Sequence, residues 1–355
     1  MDLLHALPAV PPIAADARAV RAPVKCINTE RDVATWLRSD AHEIYLLFVA
    51  RLAAAAAGQE SRTDAWDSTA DDAVARVISV LRGLDQWTSE IELSPLPQRF
   101  GNKAFRTWGA RLEERVDALH RALLPPALHA YIPELRAYLL GGFGSFARLD
   151  YGTGHEMSFV AWLAMLFRLG FFAVPDAEAR LALEVVPAYL RTVWHIQDRY
   201  ALEPAGSHGA WGLDDYHFVP YIIGAAQIAG APHTLSPADA VAPDMYPFLT
   251  RPAPRAGARI SQQDTIAHAP RRAHGRAPLP NLYLSALART NSLKRGPFFE
   301  HSPILSDIAR TVASWRKVHT GMLRMYDAEC LAKFPVVQHF WFGGVGYVWP
   351  STAAC

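Results

Sequence analysis

Apolar residues recur along most of this chain three and four positions apart, the spacing of a buried helix face, and rarely in alternation. The pattern begins near Asp32. Ala41–Ala57 is apolar on most faces and holds a run of alanines, the strongest helix formers. In Ala70–Trp87 the stripe is Val74, Val77, Val80, Leu81 and Leu84; in Asn102–Leu124 it is Phe105, Trp108, Leu112, Val116, Leu119 and Leu123. Ser158–Phe172 and Ala179–Tyr200 follow, with Pro187 placed to kink the second. Further helices are expected at Asp215–Ile228, Leu282–Leu293 and Ser314–Lys333. The expected fold class is all-α, a single large helical assembly with functional loops between long helices.

Three stretches depart from the pattern. Residues 1–25 are rich in Ala, Pro and Val without a period and are expected to form a flexible N-terminal arm. Residues 231–280 are rich in Pro and Arg, a composition that buries no core, and are expected to be a mobile insertion. Its cluster Arg271-Arg272-Ala273-His274-Gly275-Arg276 is either a solvated linker or a basic patch for nuclear import or an acidic partner. Residues 344–355 are expected to be a C-terminal tail.

Composition narrows the function. The 355 residues carry a formal net charge of +1, so no global field draws the chain to nucleic acid or to a membrane of acidic lipid. Three scattered cysteines give no disulfide framework and suit a reducing compartment. The apolar window Phe159–Val174 is short for a membrane span and contains Arg168, so a buried helix is expected. The first residues lack the basic and apolar regions of a signal peptide. The expected location is cytoplasmic, with nuclear entry open.

Four segments carry candidate chemistry. Arg148-Leu149-Asp150-Tyr151-Gly152-Thr153-Gly154-His155-Glu156 opens an apolar helix, where glycine N–H groups and Arg148 can face an anion. It is not a dinucleotide fingerprint, because Met157 stands where the last Gly belongs, nor a zincin motif, because Phe159 stands where the second His belongs. The alternative is a helix cap whose His and Glu are satisfied internally. The second segment, Glu203 to His217, packs glycines, histidines, the Asp214-Asp215 pair and Trp211 together. Ala205 spoils a GxSxG nucleophile elbow. One of the two aspartates is expected to cap the following helix, and the other can ligate a hard cation; Trp211 is core or the wall of a groove. Lys294-Arg295-Gly296-Pro297-Phe298-Phe299-Glu300-His301-Ser302-Pro303 is a proton-active pair or a plain corner. Phe334-Pro335-Val336-Val337-Gln338-His339-Phe340, taken alone, is a packed extended segment.

Together with RFGNKAFRTW at 99–108 and MYDAECLAKFPVVQHFWFG at 325–343, these segments resemble the phosphotyrosyl phosphatase activator family, activators of protein phosphatase 2A also described as peptidyl-prolyl cis/trans isomerases. The resemblance covers most of residues 26–343, departing at the insertion and the N-terminal arm. Relatives often carry Gln and Val where this chain has His208 and Ala210. The resemblance implies core, linker and lid portions around a deep cleft. It implies binding to the phosphatase catalytic subunit and its scaffold complex, and promotion of the active, metal-loaded state with ATP and Mg2+. Carried to matching positions, the nucleotide contacts are Arg148, Tyr151, Gly152, Val336, Val337 and His339, and magnesium sits near Gly209 and Asp215. A proline-containing peptide segment is expected to pack on Trp211, with Asp150 and Asp214 as polar groups of the groove. The alternative is a binding chaperone of the phosphatase with incidental isomerase activity.

Overall fold

The computed structural model describes residues 7–14, 16–96, 98–206, 212–231, 235–242 and 280–350. Gly209, Trp211 and most of the 231–280 insertion lie outside them. In chain order the elements are α1 (Glu30–Trp36), α2 (Asp40–Ala55), α3 (Ala73–Glu90), α4 (Ala104–Leu123), α5 (Ile132–Gly141), β1 (Asp150–Tyr151), α6 (Thr153–Arg168), α7 (Ala177–Arg180), α8 (Val186–Tyr200), β2 (Glu203–Pro204), α9 (Val219–Ala229), α10 (Leu282–Leu293), α11 (Phe298–His301), α12 (Pro303–Thr311), α13 (Trp315–Tyr326) and α14 (Phe334–Val337). The all-α expectation holds, with one addition: the two-residue strands β1 and β2 pair in parallel. Among the described residues no helix is long and apolar enough to cross a membrane.

Two helices lack a polar face and form the centre. In α6 every residue from Glu156 to Leu166 is buried, and in α9 every residue from Val219 to Ile228. Helix α9 packs against α2, α10 and α13, and α6 against α5 and α2. The amphipathic helices α3, α4 and α13 surround them and bury one stripe each. Helix starts follow side-chain chemistry. Asp72 accepts from the N–H groups of Val74 and Ala75 at 2.9 and 3.0 Å, and Asn281 accepts from Leu284 N–H at 3.0 Å.

Pro187 acts differently from the expected kink. A proline cannot donate to the carbonyl four residues back, here that of Leu183. The helix widens into a π turn over Leu181–Val185, and the Leu183 carbonyl accepts instead from Arg62 N–H at 2.7 Å. The helix expected over Ser314–Lys333 likewise ends in a π turn at Asp327–Leu331. Where α9 meets α10 there is no room for a side chain. A Cβ on Gly224 would collide with the Tyr283 backbone, and Asn281 Nδ2 donates to the Gly224 carbonyl at 2.9 Å. Gln227 Oε1 accepts from Leu282 N–H at 2.9 Å.

The described parts of both terminal segments depart from expectation. Residues 7–14 and 16–25 lie along the body rather than loose. Val10 is buried, Ile13 N–H donates to the Arg168 carbonyl at 2.9 Å, and Arg51 Nη1 donates to the Pro8 carbonyl at 2.9 Å. Residues 344–350 belong to the core rather than to a tail: Tyr347 and Trp349 are buried, and Val24 pairs with Phe342. Two buried charges hold these segments. The Glu134 carboxylate accepts from the N–H groups of Gly344, Val345 and Gly346 at 2.7, 3.1 and 2.9 Å. Arg168 donates to the carbonyls of Pro11 and Gly346. Cys26 is disulfide-bonded, unlike the scattered free thiols expected, whereas Cys330 is free and buried.

Replacing Glu134 by Ala leaves three N–H groups, one buried and two half-buried, without their charged acceptor, a loss of about 3 kcal/mol. The expected outcome is a lower denaturation midpoint in urea for Glu134→Ala, with Glu134→Gln intermediate because one acceptor oxygen remains.

Candidate functional site

The β1–β2 pair builds the site. The chain turns at residues 145–150, with Ser145 N–H donating to the Asp150 carbonyl at 2.9 Å and Leu149 held at φ 60°. That left-handed conformation is costly for leucine. The turn leaves Arg148 exposed and presents the Leu149 carbonyl to Glu203 N–H at 3.1 Å. One residue pair further, Ala205 N–H donates to the Tyr151 carbonyl at 2.8 Å. A Cβ on Gly152 would stand 2.9 Å from the Ala205 carbonyl oxygen, so only glycine lets the strands close here. The first two candidate segments are thereby joined at their starts.

The first and fourth segments also meet. Helix α14 packs on α6, and a Cβ on Gly154 would stand 3.4 Å from the Val336 carbonyl oxygen. Around this contact gather Arg148, Asp150, His155 and His339, together with Lys25, which no sequence motif marked. Arg148 donates to Asp150 through Nε at 2.7 Å and Nη2 at 3.3 Å. His155 Nδ1 lies 2.7 Å from the Gly141 carbonyl, so that nitrogen carries the proton, and Nε2 faces Asp150 Oδ1 at 3.8 Å. Lys25 Nζ sits 4.7 Å from the centre of the Trp341 ring.

The ionisation states reflect this crowding. Burial raises the Asp150 pKa, but the His155 ring facing it and then the hydrogen bonds and charge of Arg148 outweigh it, and the net shift is downward. Burial and then the Arg148 charge lower the Lys25 pKa. His339 stands at the surface, yet partial burial of its ring, then Lys25, Arg148 and His155, pull its pKa down to about 4, with Asp150 opposing. At neutral pH His339 is therefore a neutral hydrogen-bonding imidazole beside two cations and one carboxylate. The face has a positive surplus that a bound anion would relieve.

The remaining expected contacts divide. Val336 is half-buried, while Val337 and Tyr151 are fully buried. The Tyr151 hydroxyl lies 2.7 Å from that of Tyr189, which donates to the Gly142 carbonyl at 2.6 Å. The side chains of Tyr151 and Val337 are the wall behind the face rather than groups that reach into it. Gly209 and Trp211 lie outside the described residues.

The aspartate pair splits by role. Asp214 Oδ1 accepts from Tyr216 N–H at 2.7 Å and His217 N–H at 2.9 Å. Its Oδ2 accepts from the Tyr221 hydroxyl at 2.7 Å and the Thr290 hydroxyl at 2.8 Å. Four donors occupy this carboxylate, so Asp214, expected as a polar group of the groove, is a strut between α9 and α10. Asp215 Oδ2 is 3.1 Å from Lys294 Nζ, which in turn donates to the His301 carbonyl at 3.2 Å. The third segment thus joins the second, and Lys294 is the residue that the motif contained and its reading left unassigned. Among the described residues no group of three His, Cys, Asp or Glu is placed to hold a metal ion.

Helix α9 begins at Val219 rather than Asp215 because its cap comes from α6. Glu156 Oε2 accepts from Phe218 N–H at 2.7 Å and Val219 N–H at 3.0 Å, and Oε1 lies 3.0 Å from His217 Nδ1. Gln197 Nε2 lies 3.2 Å from the other His217 nitrogen.

The helical body joins the helix-opening turn to the start of the aspartate segment and to the C-terminal FPVVQH segment, and a helical body is what the resemblance to the activator family implies. Comparison with known proteins agrees. The sequence profile of the family described as "Phosphotyrosyl phosphate activator (PTPA) protein" matches residues 23–348. "Serine/threonine-protein phosphatase 2A activator 1" of Mycosarcoma maydis is 48% identical over 368 residues, covering 99% of this chain and 75% of that protein. "Probable serine/threonine-protein phosphatase 2A activator 1" of Dictyostelium discoideum is 35% identical, covering 91% of this chain and 89% of that protein. The crystal structure of the PP2A phosphatase activator Ypa1 superposes with a TM-score of 0.79 at 32% identity, covering 96% of this chain and 99% of that one. The chain belongs to the phosphotyrosyl phosphatase activator family.

Two measurements check the roles assigned above. Asp214→Ala should lower thermal stability by the equivalent of about 2–3 kcal/mol, and Asp214→Asn by less, because a half-buried acceptor of four bonds is lost. Arg148→Ala should raise the pKa of both Asp150 and His339 in an NMR titration, since the cation stabilises the first as an anion and repels a proton from the second. The depressed Asp150 pKa contributes stability above the unfolded value near 3.8, and that contribution is lost as pH falls below it.

Proposed function

We propose that this chain activates a protein phosphatase 2A catalytic subunit by binding it within its scaffold complex, together with ATP and Mg2+, and that a proline-containing peptide segment is held and isomerised beside Trp211. The relatives carry phosphatase 2A activator names. The single observation that supports the nucleotide part is the meeting of residues 148–155 with residues 336–339 around a face where Lys25 and Arg148 oppose one carboxylate. A polyphosphate suits that face: Arg148 offers a planar fork, Lys25 a compact charge and His339 a neutral nitrogen. When bound, the nucleotide supplies phosphate oxygens and a divalent cation at this face.

The fit to magnesium is narrower. Asp215 is the carboxylate expected near the ion, and Lys294 already pairs with it. Magnesium is commonly bound by one or two carboxylates plus substrate phosphates, so the ion would arrive on the nucleotide rather than in a protein cage.

For isomerisation, the barrier to amide rotation is roughly 18–20 kcal/mol. A groove lowers it by excluding water and fitting the twisted amide better than the planar one, with no nucleophile. A donor to the prolyl nitrogen would help, but ionised Asp150 and Asp214 only accept, and Asp214 is fully engaged. That observation favours a second reading, in which the chain clamps the phosphatase and any isomerase activity is incidental.

One experiment covers both readings. ATP·Mg is titrated calorimetrically into the wild type and Arg148→Ala, with and without phosphatase. Loss of a charge-assisted contact of about 1.5–3 kcal/mol predicts affinity about tenfold weaker or more; equal affinity overturns the nucleotide assignment. In parallel, Trp211→Ala is assayed on a short proline peptide and on the intact phosphatase. Loss of both activities supports the isomerase reading, whereas peptide turnover lost with activation kept leaves only the clamp.

A further inference from the structure

Six large apolar side chains are strongly exposed among the described residues, and three of them, Leu93, Leu96 and Phe100, fall within eight positions. Leu96 is 72% exposed and Phe100 55%. The segment that carries them, between α3 and α4, is tied in place rather than left to drift. Asn102 Oδ1 accepts from Ser94 N–H at 3.0 Å, and Asn102 Nδ2 donates back to the Ser94 carbonyl at 3.2 Å. Asn102 N–H donates to the Tyr200 carbonyl at 2.6 Å. One asparagine thus closes the loop on itself and fastens it to the end of α8.

The loop is continuous with the candidate site. Gly101 packs against Leu149, the strained residue of the turn that presents Arg148, and a Cβ there would stand 2.7 Å from the Leu149 Cβ. Arg106 Nη2 donates to the Ala147 carbonyl at 3.2 Å. The stretch that follows the exposed Glu92 also carries one sign of charge. From Leu93 to Arg106 the sequence holds Arg99, Lys103 and Arg106 and no acidic residue, and all three basic residues are exposed. The Arg99 guanidinium lies 5.0 Å from the centre of the Phe100 ring, so the exposed ring carries a positive rim.

Apolar side chains held in water by a pinned loop, clustered and ringed by one sign of charge, mark a protein contact. We infer that residues 93–96 and 98–102 form a docking surface whose occupant is an apolar recess flanked by acidic residues on the phosphatase catalytic subunit, with Leu96 and Phe100 as the inserted side chains. This inference rests on the reading that the chain binds that subunit. The positive rim and the continuity with Arg148 select an acidic partner over a second copy of this chain, whose own loop would bring like charges together.

The test measures phosphatase affinity by surface plasmon resonance at several salt concentrations for the wild type, Leu96→Ser/Phe100→Ser and Arg99→Glu/Lys103→Glu. Each variant is also checked for its melting temperature and ATP·Mg affinity. The expected result is phosphatase binding at least tenfold weaker for both variants, a shallower salt dependence for the charge-reversed one, and unchanged melting temperature and nucleotide affinity. A wild type that binds while the Leu96/Phe100 variant binds equally well overturns this inference and leaves the function reading standing. A wild type that does not bind overturns both. If the Leu96/Phe100 variant instead loses a concentration-dependent dimer of the chain and keeps its phosphatase affinity, the occupant is a second copy and the inference is wrong.

Discussion

The carboxylate of Glu156 is buried between the two apolar helices at the centre of the molecule, and its ionic partner among the described residues is a histidine rather than a lysine or arginine. A charge in that position is tolerable only when hydrogen bonds replace its water. Glu156 obtains them from the first N–H groups of α9 and from His217, and it also meets the positive end of that helix. One side chain therefore fixes where α6 lies, where α9 starts and how the aspartate segment enters the core. Its charge spreads further. Buried phenols at Tyr45, Tyr151, Tyr189 and Tyr326 are pushed upward in pKa, first by burial and then by neighbours that include Glu156. They stay protonated and able to donate, which is how Tyr151 and Tyr189 brace the wall behind the cationic face.

That bracing separates two kinds of residue that look alike in the motif. Arg148 and His339 are at the surface, while Tyr151, Gly152 and Val337 sit behind them and set their spacing. Asp214 belongs with the bracing group, since it links the aspartate segment to Tyr221 of α9 and Thr290 of α10. Asp215, one residue on, turns to Lys294. A charge that must hold a fold is saturated with donors, and a charge available for exchange keeps a single partner. By that criterion Arg148 and Lys25 are the groups of the face able to change partners when a ligand arrives.

Much of this was legible in the sequence. The helical spacing of Val74, Val77, Leu81 and Leu84, or of Phe105, Trp108, Leu112 and Val116, gave α3 and α4 directly, because one-sided burial imprints a period. The resemblance marked the segments that meet at Gly154 and Val336. Lys25 was not legible, because it belongs to no motif and acquires meaning only where the N-terminal segment crosses Trp341. The start of α9 was misplaced because its cap comes from a residue 62 positions earlier. The π turn at Leu181–Val185 escaped for a similar reason: the donor that releases the Leu183 carbonyl is Arg62. The termini were misread because low periodicity was taken for looseness, whereas Glu134 and Arg168 bind their backbone rather than their side chains.

The bare seam between α9 and α10 also bears on how this chain can change. At Gly224 the two backbones touch, and Asn281 and Gln227 fasten the segments that lead into and out of the connection between these helices. The distance between the anchor points is therefore set by main chain, and Ala240, buried in the core, and the Leu235 carbonyl, which accepts from Trp315 Nε1 at 2.9 Å, fasten the first part of the connection to the body. Lengthening a loop between fixed ends costs only about 0.6 kcal/mol per doubling. Descendants of this chain can thus extend, shorten or rewrite residues 243–279 while the body keeps its register, which makes that stretch a site where new targeting or binding sequences can be acquired without disturbing the cationic face.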